Sequence, residues 1–317
     1  MKVTKVFTGL LSLLIMAASV SLYVYRQDVI DWLALRNYEP SPAIARLATA
    51  ASLNDDGRRL FYVHDPSLLD KANFQGVCGN DEETIVLGCY ITNDRIYVFD
   101  VEDDRLQGVE EVTAAHEMLH AAFDRLSGDE KERITTLLAD TFASVDDERL
   151  QKTIASYAKR DPSVVPNELH SILGTELRDL PKELEEYYSQ YFLDRLSVVE
   201  KAEAYEAEFS SREAQIAEYD RRLNELSASI SERRSNINQL SSALSEEARQ
   251  LDAKKGDSEE YNAAVPVYNA QVREYNRQLE VLRGLIAQFN TLVAERNEIA
   301  TQERELVEAI DTRALEL

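Results

Sequence analysis

Two histidines stand four residues apart in the stretch 109–126 (VEEVTAAHEMLHAAFDRL), with a glutamate directly after the first: His116-Glu117-Met118-Leu119-His120. On a helix, residues i and i+4 project from one face about one turn apart, so both imidazoles can reach a single metal ion. Glu117 lies between them, placed to take a proton from a metal-bound water. Zinc lowers the pKa of such a water to about 7, which makes hydroxide available near neutrality. The chemistry these residue types point to is hydrolysis, with Zn²⁺ as cofactor, His116 and His120 as ligands and Glu117 as general base.

These side chains need a rigid element to hold them. Val109, Val112, Leu119 and Phe123 form an apolar stripe, so 109–126 reads as a packed helix. Residues 95–101 (RIYVFDV) read as a strand that follows the turn signal Thr92-Asn93-Asp94. Residues 60–63 (LFYV) and 84–91 (TIVLGCYI) are also β-rich, while 41–52 (SPAIARLATAAS) reads as a short helix capped by Ser41 with Pro42 in its first turn. From Leu106 onward the periodicity is helical. Strands first and helices afterwards predict an α+β domain over residues 28–195.

The His116–His120 helix resembles the active-site helix of zincin metallopeptidases. The resemblance implies a zincin-like domain with a short antiparallel or mixed sheet, a polypeptide substrate, and an edge strand that binds it by strand addition; 95–101 is the matching strand. Position 126 is Leu and position 123 is Phe, not the His and Gly of the metzincin branch. The gluzincin branch takes a Glu from a later helix as third ligand, and 167–176 (NELHSILGTE) is similar to that helix, although Ile172 stands where those enzymes carry a supporting Asp. By this resemblance Glu168 is the third metal ligand. Glu176, two turns on and on a nearby face, is the runner-up, and His170 a further alternative. The resemblance covers residues 95–192. Tyr187, Tyr188 and Tyr191 follow, with hydroxyls that could donate to a developing oxyanion, although an ordinary packing role is the better reading of each.

Residues 6–25 (VFTGLLSLLIMAASVSLYVY) form a run of twenty uncharged positions, about 30 Å long as a helix. Lys2 and Lys5 precede the run; Arg26, Asp28 and Asp31 follow it. Residues 1–27 are therefore expected to be a cytoplasmic tail and transmembrane signal anchor, with the body extracytoplasmic. Tyr23, Tyr25 and Trp32 suit the outer interface. Cleavage near Ala17-Ala18-Ser19 is the alternative and would give a secreted protein. Cys78 and Cys89 are the only cysteines, so export predicts one disulfide between them, worth about 2–3 kcal/mol.

From residue 196 onward the chain is a heptad repeat. Phe209, Ile216, Leu223, Ile230, Ile237, Leu244 and Leu251 recur every seven residues, and a second series begins at Val265 and Tyr268. Two such seams with a break near 253–258 predict an antiparallel coiled-coil hairpin over 196–317. Arg233, Arg296 and Glu303 interrupt the seams. The hairpin is suited to a coiled-coil protein partner or to self-association. The chain carries 35 Lys and Arg against 58 Asp and Glu, a net charge of −23, which argues against a nucleic-acid partner and against contact with acidic lipid. Together these features predict a membrane-anchored extracytoplasmic zinc metallopeptidase. The alternative is an envelope scaffold whose coiled coil is the working part and whose zincin-like domain is inactive.

Overall fold

The computed structural model describes residues 16, 19–20, 24–78, 85–92 and 95–313. The chain divides into two compact units, Met1–Ala207 with Glu308–Leu317, and Glu208–Val307.

From Arg26 onward the first unit has three helices, α1 (Arg26–Leu35), α2 (Pro42–Ala50) and α3 (Asp55–Val63). Ser41 caps α2, its hydroxyl accepting from the Ile44 amide. Asn54 caps α3 in the same way, accepting from Asp56 and Gly57. Strand β1 (Ser67–Leu69), helix α4 (Lys71–Val77), and strands β2 (Gly88–Tyr90) and β3 (Ile96–Phe99) follow. The sheet order is β1-β3-β2, with β1 parallel and β2 antiparallel to β3. Then come α5 (Val109–Asp124), α6 (Gly128–Phe142), α7 (Glu148–Arg160), α8 (Val165–Glu176) and α9 (Lys182–Tyr188). Ile96 and Val98 turn one face of the sheet into the core beside α5, while Phe99 on the other face packs on Phe74 of α4.

Helix α5 is almost wholly buried. Its small residues Ala114, Ala115, Ala121 and Ala122 let neighbours approach closely. Helix α8 comes close at Gly174, where a Cβ would lie 2.6 Å from Leu119 Cδ1 of α5 and 2.8 Å from Tyr188 Cε1. The carboxyl end of α8 is tied down by Arg195, which is buried and donates to the carbonyls of Leu177 (2.7 Å) and Arg178 (2.9 Å) and to the Glu185 carboxylate.

The second unit consists of the long helices α10 (Arg195–Ala253) and α11 (Ser258–Ile310), the former beginning in the first unit. They are antiparallel: Asp220 pairs with Arg296 at 3.0 Å, Arg233 with Gln278, and Glu247 accepts from Gln271 at 2.7 Å. Ile230, Ile237, Leu244 and Leu292 are buried along the seam. Arg233 and Arg296, the charged interruptions of the heptads, thus make cross-helix pairs. The turn lies at Lys254–Gly256, and Asp257 caps α11 by accepting from the Glu259 and Glu260 amides.

These findings correct the expected fold class. Of the described residues 77% are helical, and their sheet has only three short strands, so an α+β zincin-like domain does not describe them. The β-rich run 60–63 is the end of helix α3: Gly57, Leu60 and Phe61 are its buried positions, a helical spacing that four residues in isolation do not reveal. Among the described residues of 84–91, Gly88–Tyr90 form the strand, and Thr84 lies outside the described residues. The strand at 95–101 is shorter than expected, and it is central rather than at the edge, because Ser67–Leu69 pairs along its other side. Among the described residues no helix is long and apolar enough to cross a membrane. Most of the run 6–25, Asn93 and Asp94 lie outside the described residues.

Candidate metal centre

His116 and His120 occupy one face of α5, with ring centroids 4.7 Å apart and planes at 80°. Glu168, in the first turn of α8, reaches toward both. Its Oε2 lies 3.8 Å from His116 Nε2 and its Oε1 3.8 Å from His120 Nε2. One donor atom from each of the three residues falls within 4.8 Å of the others, a spacing fit for one metal ion. It is the only such group of three or more among the described residues.

The electrostatics suit ligation. Burial, then the neighbouring His120 and His170, holds His116 well below its ordinary pKa. Burial likewise lowers His120, against an opposing effect of the Asn167 side chain beside it. Neutral imidazoles are the form that coordinates a cation. Two imidazoles and one carboxylate form a mixed donor set that fits a divalent metal with a position left open.

Glu117 is buried, 5% exposed, on the side of α5 that meets the sheet. A Cβ at Gly88 on β2 would lie 2.5 Å from Thr113 Cγ2 and 2.8 Å from both Cγ and Oε1 of Glu117. Absence of a side chain at position 88 therefore lets the edge strand close over the glutamate. The two histidines, Glu117, Glu168 and β2 all line one cavity of about 700 Å³.

The other proposed site residues have different places. Glu176 lines the same cavity but is ion-paired with Arg149 at 2.7 Å and lies outside the donor cluster. His170 is fully buried, its Nε2 2.8 Å from the Tyr187 hydroxyl, and burial pushes its pKa down to about 3. Tyr188 donates to the His170 carbonyl at 2.7 Å. None of Tyr187, Tyr188 and Tyr191 lines the cavity; the rings of Tyr187 and Tyr188 pack on His170 of α8, and Tyr191 packs on Tyr187. Cys78 and Cys89 form a disulfide that joins the end of α4 to the edge strand. Tyr157 and Arg160 of α7 also line the cavity, and nothing in their local spacing singled them out. Gly88 was visible in the sequence only as a glycine inside a strand-like run, a sign of close backbone approach.

Comparison with protein-family models, with curated proteins and with solved structures finds no match for this chain.

Proposed function

We propose that the first unit is a zinc-dependent metallopeptidase that hydrolyses polypeptide substrates outside the cytoplasm. The supporting observation is the convergence of His116, His120 and Glu168 within 4.8 Å, beside Glu117, on a cavity bordered by a sheet edge. The ligand set is of the gluzincin kind: two histidines one turn apart on α5 and a glutamate from α8. Bound there, zinc supplies a Lewis acid that lowers the pKa of water and polarises a carbonyl.

The chain's own residues supply the rest. Glu117 accepts the proton of the attacking water and returns it to the leaving amine. Strand β2 orients the substrate. Leu87 accepts from the Phe99 amide and Ile91 donates to Arg95, so alternation turns the backbone groups of Gly88 and Tyr90 away from β3, toward an added strand. Tyr157 and Arg160 border the cavity from α7 with donors suited to peptide carbonyls. The Cys78–Cys89 disulfide supports a place in an oxidising compartment, and the apolar run 6–25 is suited to directing export.

The test is Glu117→Gln. The variant is expected to keep its bound metal and to lose hydrolysis of an unstructured test protein. A variant with undiminished hydrolysis would remove Glu117 from the chemistry. A wild-type chain that binds metal and cleaves nothing, yet needs its second unit for function in the cell, would favour the scaffold.

A further inference from the structure

Helix α1 is built the wrong way round for a surface helix. A soluble amphipathic helix turns its apolar stripe to the core and its charges to water. Here the residue buried against the body is a charged one, Asp31, 3% exposed, which accepts from Arg125 at 2.8 Å and from Gln27 at 3.0 Å. Asp28, a second acid near that side, lies 3.7 Å from Arg59 of α3. The large apolar residues point outward: Val29 is 39% exposed, Ile30 55%, Trp32 61% and Leu33 52%. At 100° per residue, Val29, Ile30, Trp32 and Leu33 share the side of the helix opposite Asp31.

Two further features say what covers this face. The exposed arginines Arg26 and Arg36 lie at the two ends of the same outward side, and Arg36 stacks 5.6 Å from the Trp32 ring. Cationic flanks around aromatic and aliphatic residues match an anionic headgroup layer above acyl chains. The net charge of −23 opposes a polyanionic partner for the molecule as a whole, but acids more than about 10 Å from this face are screened by salt, and the outward side of α1 itself carries only Arg26 and Arg36. The other feature is what the helix follows: the twenty uncharged residues 6–25 end where α1 begins. A protein partner would not call for such a run; a bilayer would.

We propose that α1 lies on the surface of an anionic lipid bilayer, with Val29, Ile30, Trp32 and Leu33 inserted at the headgroup–acyl boundary and Arg26 and Arg36 among the headgroups. The Asp31–Arg125 pair is the handle that holds the body to the docked helix. Arg125 Nη2 lies 3.4 Å from His64 Nε2, and the His64 ring packs 5.1 Å from Tyr90 at the cavity edge, so this handle sits close to the candidate metal centre.

Trp32 is the only tryptophan, so its fluorescence reports on α1 alone. It lies seven positions, about 10 Å of helix, beyond the end of the apolar run. If α1 stood away from the surface, Trp32 would stay in water even with residues 6–25 held by lipid. The full chain is purified in mild detergent and reconstituted into phosphatidylcholine vesicles with and without phosphatidylglycerol, both containing lipids brominated at shallow acyl positions. With phosphatidylglycerol, Trp32 emission is expected to shift to the blue, to be quenched by the brominated chains and to be protected from acrylamide. Leu33→Asp, at a position that leaves the core untouched, is expected to abolish the bromine quenching. Arg26→Gln with Arg36→Gln is expected to remove the advantage of the anionic vesicles. Trp32 fully open to acrylamide in both vesicles would overturn the proposal. So would protection that is complete without lipid, since that would place a second copy or the chain's own apolar run on this face. None of these outcomes depends on peptidase activity.

Discussion

Gly88→Ala tests how closely the edge strand and Glu117 are fitted. The added methyl would lie 2.5 Å from Thr113 Cγ2 and 2.8 Å from Glu117 Cγ and Oε1, against ordinary contacts of 3.4–4 Å. Something must move by about 1 Å. Thr113 cannot swing aside freely, because its hydroxyl donates to the Val109 carbonyl at 2.8 Å. Strand β2 is paired to β3 and tethered to α4 through Cys89. The displacement therefore falls mainly on Glu117. Overpacking of this size costs about 1–3 kcal/mol of stability, and a 1 Å error in the position of a catalytic group costs roughly 10²-fold in turnover. The donor atoms of His116, His120 and Glu168 are not touched, so metal content should be unchanged. The assay compares thermal unfolding, bound metal and turnover of an unstructured test protein for the variant and the parent. Full turnover in a destabilised variant would refute the placement of Glu117 as the base, and loss of the metal would refute the claim that the strand and the ligands are independently held.

Two other substitutions probe the scaffold. Burial, then the charges of Asp100 and Glu111, raises Glu110 from 4.5 to about 7. Between those two values the folded chain holds a proton that the unfolded chain has released. Stability therefore falls as pH rises from about 4.5 to about 7 and stays at its lower level above, by about 1–2 kcal/mol once solvent screening of this partly exposed group is allowed for. Glu110→Gln keeps an acceptor for the Val101 amide and should raise the unfolding temperature near pH 8 while leaving it nearly unchanged near pH 4; an equal shift at both would contradict this. Arg195→Met strands the Leu177 and Arg178 carbonyls and leaves the Glu185 carboxylate without this partner, and is expected to cost about 2–4 kcal/mol in thermal or urea unfolding, against a negligible change if the contacts carry no weight.

Some of this was legible from residues alone and some was not. His116 and His120 lie on one helix face because helical spacing puts them there, and that is local information. The cap at Ser41 and the long heptad seams are local in the same sense. Which strand becomes the sheet edge is not local. Ser67–Leu69 is too short for alternation to show, yet by pairing with β3 it leaves β2 as the strand beside the ligands. Residues 60–63 misled for a related reason: an apolar run of four fits either period, and the deciding signal was Asn54, six residues upstream. The approach of Gly88 to Glu117 depends on a strand and a helix meeting across the core, which spacing along the chain cannot show. The resemblance to zincins rested on two short helical motifs, and those do not specify the sheet, so the implied architecture failed while the two motifs still came together.

The most direct test of the central claim is the metal content of the full purified chain, measured by elemental analysis beside His116→Ala and Glu168→Ala. One zinc per chain in the parent, lost from both variants while their unfolding temperatures remain within a few degrees of the metal-free parent, is the expected result. A parent chain that takes up no zinc after refilling, or a zinc that survives in both variants, would contradict the site formed by His116, His120 and Glu168.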